Sequence, residues 1–109
     1  MANNYKNAKV DLTGTGATVL YTTPSATTTL IKSLLVSEDS GNADTITVTI
    51  TDAAPSPATF SLFKVKAVGA NATVELLTQP LVVQEDEIIK VTAATGNRLH
   101  VVASLLEIS

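Results

Sequence analysis

The side chains that could perform acid–base or metal chemistry are few in this sequence. His100 is the only histidine, and it lies in a run of alternating apolar residues without a second histidine to complete a metal site. The chain has no cysteine, which excludes thiolate catalysis, disulfides and cysteine-ligated zinc. We therefore predict that His100 occupies a surface or edge position and is not a catalytic base.

Serine and glycine patterns give no further sign of catalysis. No serine lies in the Gly-x-Ser-x-Gly pattern of a nucleophile elbow. Residues 14–16 (GTG) lack the further glycine and the lysine that a phosphate-binding loop requires, so they predict a turn. The sequence thus predicts no catalytic residue, no cofactor site and no enzymatic activity.

Two acidic clusters could supply oxygen ligands to a calcium ion. One consists of Glu38 and Asp39 with Asp44, and the other is residues 85–87 (EDE). Neither has the spacing of an EF-hand loop, and solvated turns are commonly acidic. We predict no metal site, while the sequence alone leaves calcium binding at these turns open.

Charge and aromatic content exclude several classes of partner. The formal net charge is −3, which gives nucleic acid no electrostatic attraction. The chain has no tryptophan, two tyrosines and two phenylalanines, too few to stack sugars or single-stranded bases. No segment has the roughly 18 consecutive apolar residues that cross a bilayer. We therefore expect neither nucleic acid nor a membrane as a partner.

The elements that would position these residues are β-strands, because the dominant hydrophobic period is two. Residues 45–52 (TITVTITD) alternate β-branched apolar residues with threonine and aspartate. Other predicted strands are a weak one near Val10 and Leu12 and those at 17–22, 28–37, 59–67, 72–77, 81–84, 87–93 and 98–108. Short strands with regular turn signals predict an all-β, antiparallel β-sandwich that is jelly-roll-like and has about nine strands. An immunoglobulin-like sandwich is the alternative.

Several local features accompany this fold prediction. The polar residues 1–7 are expected to form a flexible N-terminal arm before a single sandwich domain at 8–109. In 59–67 the apolar phase slips by one residue, which predicts a β-bulge. Residues 94–97 (ATGN) predict a tight hairpin turn.

Two predicted strands carry apolar residues on both faces, although a two-layer sandwich has only one inner face per sheet. In the last strand Leu99, Val101, Ala103 and Leu105 share one side. We predict that the second face contacts another subunit. The residues that we predict at this interface are Tyr5, Ile31, Leu35, Val102, Leu106 and Ile108.

Four segments resemble a known family. Residues 21–25 (YTTPS) and 30–36 (LIKSLLV), with 85–91 (EDEIIKV) and 101–108 (VVASLLEI), are similar to small virion structural proteins of tailed bacteriophages. At the turn before the penultimate strand this chain has Glu85 and Asp86 without the usual glycine. The motifs are structural and carry no chemistry.

The resemblance implies a structural protein of a phage particle, with a head decoration (cement) protein as the first candidate. It implies self-association, with a trimer favoured, and a major capsid or tail protein as partner. Assembly in the host cytoplasm and a place in the virion would follow. A tail, neck or fibre component is the first alternative, and a glycan- or ligand-binding β-sandwich module is the second.

Overall fold

The computed structural model describes residues 2–53, 55 and 57–109, and it is an all-β fold. Its strands are β1 (Asn3–Leu12), β2 (Thr18–Thr22), β3 (Thr28–Glu38), β4 (Asp44–Thr51), β5 (Thr59–Val68), β6 (Thr73–Glu75), β7 (Leu81–Val83), β8 (Ile88–Ala93) and β9 (Leu99–Ile108). Within the described ranges there is no helix long and apolar enough to cross a membrane.

Strand pairing follows one long antiparallel ribbon that is folded back at the β4–β5 connection. Strand β4 pairs with β5, β3 with β6 and β7, β2 with β8, and β1 with β9. The ribbon is then rolled up, so that β3 also pairs with β9 and β4 with β8. This gives sheet A, with the order β1-β9-β3 followed by β6 and β7, and sheet B, with the order β2-β8-β4-β5.

This topology is a jelly roll and confirms the predicted fold class. The immunoglobulin-like alternative is wrong, because it would place the first two strands side by side in one sheet. Here β1 and β2 belong to different sheets, and β1 instead pairs with the last strand.

The core lies between the sheets and is built by the period-two alternation. In β4, Ile46 and Val48 are fully buried, while the threonines that flank them, Thr45, Thr47 and Thr49, point outward. The predicted inner face of the last strand is confirmed, since Leu99, Val101, Ala103 and Leu105 are all buried. Other large core side chains are Leu12, Ile31, Leu34, Val36, Val68, Val83, Ile89 and Val91.

The predicted bulge in β5 is confirmed. The register against β4 shifts twice, between Ile46 and Val48 and between Val48 and Thr49, so β5 carries the extra residues. Val65 lies in this irregular stretch with a φ of 52°. A bulge strengthens the local twist and thereby makes the exposed edge of sheet B a poor template for pairing with another strand.

The hairpin predicted at residues 94–97 is wrong. The segment connects β8 in sheet B to β9 in sheet A, so it crosses between the sheets. It is held by the Asn97 amide, which donates to the Leu12 carbonyl at 2.8 Å. Gly96 lies against the backbone of the β1–β2 loop, where a Cβ atom would come within 2.4 Å of the Thr13 carbonyl oxygen. Residues 14–16 likewise belong to a connection that crosses between the sheets.

The register of β3 differs from the prediction of a continuous alternation over residues 28–37. Ile31 pairs with Leu105 and Ser33 with Ser104, so Lys32 is an extra residue that shifts the phase. Ile31 and Leu34 therefore both face the core and are fully buried. The prediction of Ile31 as an interface residue is wrong, because this bulge turns its side chain inward.

Residues 3–7, expected to belong to an arm, form the first half of β1. They pair with residues 104–108 of β9, from Asn3 with Ile108 to Asn7 with Ser104. The Ala2 amide donates to the Ser109 carbonyl at 2.9 Å, which extends the ladder by one residue. The predicted boundary at residue 8 is therefore not a boundary of secondary structure.

Candidate interaction surface

The outer face of sheet A carries two apolar rows that run across the strands. In the first row, Val102 of β9 lies between Lys9 of β1 and Leu35 of β3, and Glu75 of β6 lies beyond Leu35. This row is therefore apolar in the middle and charged at both ends. The centre combines two apolar side chains from the two central strands, which is the usual place for the dry part of an interface.

The second row lies four residues further along β9 and is apolar throughout. Leu106 is flanked by Tyr5 of β1 and Leu30 of β3, and Val82 of β7 follows Leu30. Tyr5 is 72% exposed and Val82 is 52% exposed. Ile108 continues this apolar area at the end of β9, where it pairs with Thr28.

A hydroxyl row separates the two apolar rows. Ser104 of β9 pairs with Asn7 of β1 and Ser33 of β3. Two open depressions of about 410 and 320 Å³ lie on this face, one beside Val102 and one beside Ser104. The face therefore has ridges and grooves that a second surface could fill.

The outer face of sheet B has a different chemistry. Its central strands present threonine, because Thr47 of β4 pairs with Thr92 of β8, and Thr49 pairs with Lys90. Hydroxyl and ammonium groups are readily hydrated, so water can cover this face at little cost in free energy. The exposed apolar side chains of sheet B, Val19, Phe60 and Val65, lie on its edge strands β2 and β5, whereas the apolar rows of sheet A run across its central strands β9 and β3.

Glu75 closes the gap between β6 and β7 along the edge of β3. Its carboxylate accepts from the Leu34 amide at 2.7 Å, from the Leu77 amide at 3.2 Å and from the Ser33 hydroxyl. Burial alone would raise the pKa of Glu75, but these hydrogen bonds outweigh it and lower the pKa. The side chain is thus a fixed negative charge at one rim of the face.

Positive charge lies toward the opposite rim. Lys9 is exposed on edge strand β1. The ammonium group of Lys32 leans across the sheet and lies 5.8 Å from the ring centroid of Tyr5, within the range of a cation–π contact. In the row that contains Val102 and Leu35, the two rims therefore carry opposite charges, Lys9 on β1 and Glu75 on β6.

His100 lies at the end of this face, as predicted for a surface position. Its Nε2 is 3.2 Å from Asp11 Oδ1, and its Nδ1 is 3.5 Å from Asp39 Oδ2. Both ring nitrogens are thus directed at carboxylates and not at a serine hydroxyl. The arrangement orders the loop after β3 and gives no nucleophile–base pair within the described part of the chain.

The acidic turns use their carboxylates as backbone caps. Glu38 is only 2% exposed and accepts from the amides of Ser40 at 2.8 Å, Gly41 at 3.0 Å and Asn71 at 3.0 Å. Burial would raise the pKa of Glu38, but hydrogen bonds from Ser40, Asn71 and Gly41 outweigh it and lower the pKa to about 2. The charge of Glu38 is therefore satisfied by the chain itself.

Three other acidic residues of these clusters, Asp44, Glu85 and Glu87, are engaged in the same way. Asp44 accepts from the amides of Thr45 at 2.8 Å and Thr95 at 3.0 Å. In the second cluster, Glu85 accepts from the Ala26 amide and Glu87 from the Gln84 amide at 2.7 Å. Across residues 2–53, 55 and 57–109, no group of three His, Asp or Glu side chains is placed to hold a metal ion.

The loops that could form a ligand site lie far apart. The 39–43 loop precedes β4 and the 52–58 loop follows it, so the eight residues of β4 separate them. Such a strand is about 27 Å long at about 3.4 Å per residue. Residues 54 and 56 of the second loop lie outside the described residues. The described parts of these loops do not converge, as a glycan or ligand pocket would need.

Five of the predicted interface residues share the outer face of sheet A, namely Tyr5, Leu35, Val102, Leu106 and Ile108. Ile31 does not, because the bulge at Lys32 turns its side chain into the core. Sequence reasoning missed Leu30 and Val82. Residues 81–83 are all apolar, so the sequence does not show which of them faces outward. Only the pairing of Val82 with Leu30 in the structure places both residues on the outer face.

Comparisons with known proteins give little further information. No family model matches the chain, and no curated protein matches it. Among solved structures, a chain in the structure of infectious bursal disease virus, Gt strain, is similar with a TM-score of 0.48 and 10% sequence identity. That similarity covers 98% of this chain and 30% of the viral chain. The chain therefore spans about a third of the length of its structural neighbour, and a similarity at this level says nothing on function.

Proposed function

We propose that this chain is a non-enzymatic structural protein of a phage particle and acts as a capsid decoration (cement) protein. The resemblance of its sequence motifs to virion proteins of tailed phages supports a location in a phage particle. The outer face of sheet A supports the mode of action, which is contact between proteins. A tail, neck or fibre component is the alternative within the same class.

The observation that carries this proposal is the difference between the two outer faces of the sandwich. The central strands of sheet B present threonine, and its exposed apolar side chains Val19, Phe60 and Val65 lie on the edge strands β2 and β5. On sheet A the exposed Tyr5, Leu35 and Val82 instead belong to apolar rows that cross the central strands β9 and β3. Removing apolar surface from water is favourable by about 25 cal/mol per Å², so an exposed apolar face favours contact with another protein. A protein with one such face is suited to attachment.

Attachment of this kind stabilises a shell by linkage. A protein that binds the assembled shell and not its separate subunits shifts the equilibrium toward assembly by mass action. Many copies on a symmetric lattice would add to this effect, because each bound copy contributes its own binding free energy to the assembled shell. The proposed function therefore requires an adhesive face and no catalytic group.

The test is the number of copies in purified particles, counted by quantitative mass spectrometry. Hundreds of copies per particle would support a head decoration protein, and a few copies would support the tail or neck. Absence of the protein from particles purified from a producing culture would overturn the proposal.

Variants of the chain connect the copy number to the outer face of sheet A. Leu106→Asp is expected to fold and to lower particle occupancy at least tenfold, because the charge would have to be desolvated in the contact. Val19→Asp is the matched control, since Val19 is 52% exposed on β2 of sheet B. Leu105→Asp, one residue from Leu106 but facing the core, is expected to unfold the domain. Equal occupancy of the Leu106→Asp and Val19→Asp proteins would contradict the choice of face.

A further inference from the structure

We infer that a second copy of this chain covers the outer face of sheet A, packed face to face about a two-fold axis that runs parallel to and between β9 and β3. The inference takes from the proposed function only that this face is an interface, and it makes the dimer, through its remaining surface, the unit that attaches to the particle. It adds the identity of the partner and the symmetry of the contact. Its basis is that the face is complementary to itself under this rotation.

The rotation exchanges β9 with β3 and the β1 edge with the β6–β7 edge, and it keeps the height along the strands. Val102 of one copy then faces Leu35 of the other, and Leu106 faces Leu30. Ser104 faces Ser33 in the row between them. Apolar side chains thus meet apolar ones, and hydroxyls meet hydroxyls at a separation that a bridging water fits.

The charges at the two rims also match. Lys9 and Glu75 lie at opposite ends of one row, outside Val102 and Leu35. The rotation places Lys9 of each copy opposite Glu75 of the other, which gives two symmetry-related ion pairs. Asp11, in the next row, is placed opposite Thr73 and so meets no like charge. A two-fold contact requires this kind of self-complementarity.

Lys32 is a charged side chain that starts on a central strand of this face, β3. Its stem runs over the sheet and its ammonium group lies at the Tyr5 ring on the β1 edge. The charge therefore lies toward the rim, where it can remain hydrated while the stem adds apolar cover. Tyr5 in turn faces Val82 of the second copy.

The size of the face is sufficient for a specific dimer. Strands β1, β9 and β3 contribute about ten residues each, and β6 and β7 contribute three each. At about 4.8 Å between strands and about 3.4 Å per residue, the face is about 590 Å² per copy. The total of about 1,200 Å² is at the lower end of the range of stable interfaces. Stacked sheets also twist by about 30° relative to each other, which displaces the rim more than the centre. The Ser104–Ser33 row near the axis is therefore the most sensitive to the proposed register.

The first test is the mass in solution by light scattering coupled to gel filtration, at micromolar to hundred-micromolar concentration. We expect twice the 11.3 kDa of one chain. Lys9→Glu is expected to raise the dissociation constant at least tenfold by opposing two carboxylates. Lys64→Glu makes the same charge change on β5 and is expected to leave the constant unchanged. A monomer or a trimer for the unmodified chain would overturn the inference.

The second test is cross-linking of introduced cysteines by a short bismaleimide, because facing Cα atoms of sheets packed about 10 Å apart are too distant for a disulfide. The chain has no cysteine, so the reagent meets no background. A mixture of Ser104→Cys and Ser33→Cys proteins is expected to give a cross-linked pair. Ser104→Cys mixed with Ser61→Cys, whose cysteine lies on β5 of sheet B, is the control and is expected to remain unlinked. Equal cross-linking in the two mixtures would contradict the register.

Failure of this inference can be distinguished from failure of the proposed function. A monomer that is present in particles and is released by Leu106→Asp would overturn the two-fold dimer and leave the structural role intact. A dimer of the expected register that is absent from particles would overturn the structural role and leave the dimer intact.

Discussion

The hydroxyl of Tyr21 in β2 donates a hydrogen bond to the carboxylate of Glu107 in β9, and so joins sheet B to sheet A. The Tyr21 hydroxyl also lies 2.8 Å from the Thr29 hydroxyl, and Lys6 Nζ lies 3.4 Å from Glu107. This polar cluster closes the sandwich where edge strands β1 and β2 approach each other. Strands β1 and β2 belong to different sheets and are not joined by backbone hydrogen bonds of a ladder. Side-chain hydrogen bonds connect the two sheets at this point instead.

Tyr21→Phe is expected to lower the free energy of unfolding by about 1 kcal/mol at pH 7, since it removes the donor to Glu107. Burial, with the Glu107 hydrogen bond, raises the pKa of Tyr21 to about 12. The folded state therefore holds this proton more tightly than the unfolded chain, whose tyrosines titrate near 10. The stabilisation is complete below about pH 10 and is lost as the pH rises toward 12.

The measurement for Tyr21 is urea unfolding at several pH values between 7 and 12. The difference between the original chain and Tyr21→Phe should shrink across the upper part of this range. A Tyr21→Phe difference that is independent of pH would contradict the proposed role of the Tyr21 proton.

Glu38→Gln is expected to destabilise the protein at neutral pH and to flatten its acid unfolding. The folded pKa of about 2 lies below the ordinary value of about 4.3 for glutamate. Its contribution is therefore present above about pH 4.3 and is lost as the pH falls toward 2. Thermal unfolding at pH 7, 4, 3 and 2 measures this. If Glu38→Gln and the original chain lose stability equally as the pH falls, the hydrogen bonds to Glu38 from the amides of Ser40, Gly41 and Asn71 do not stabilise its carboxylate.

Gly96→Ala is expected to destabilise the fold by about 2 kcal/mol, because the new Cβ would overlap the Thr13 carbonyl and only the backbone can move. For a domain of this size, that corresponds to a lower melting temperature by roughly 8 °C. Gly14→Ala is the control, since its new methyl group would have no atom within 4 Å. Calorimetry of the two variants should separate them, and equal melting temperatures would contradict the close packing of the two connections.

Val65→Gly is expected to stabilise the protein by about 1 kcal/mol, although it removes an apolar side chain. Val65 has a φ of 52°, a conformation that is strained for a β-branched residue and free for glycine. Its side chain is 61% exposed, so little burial is lost. Val19→Gly, at an exposed valine without positive φ, should destabilise the protein. Urea unfolding of both variants gives the signs, and a loss of stability in both would contradict strain at Val65.

Features that depend on neighbouring residues could be predicted from the sequence. The alternation in 45–52 predicts β4 because a strand places successive side chains on opposite faces wherever it lies. The inner face of β9 and the bulge in β5 follow from the same rule. Most of the candidate interface was found in this way, because Val102, Leu106 and Ile108 share a phase that the core does not use.

Features that depend on which strands become neighbours required the tertiary structure. The bulge at Lys32 is defined by the register of β3 against β9 and lies between the pairings of β3 with β7 and with β6, and it turns Ile31 into the core. Residues 94–97 have the composition of a turn, but only the pairing of β8 with β4 and of β9 with β3 determines that they cross between sheets. Local sequence thus determined the strands and their faces, while long-range hydrogen bonding decided register and topology, because its partners are far apart along the chain.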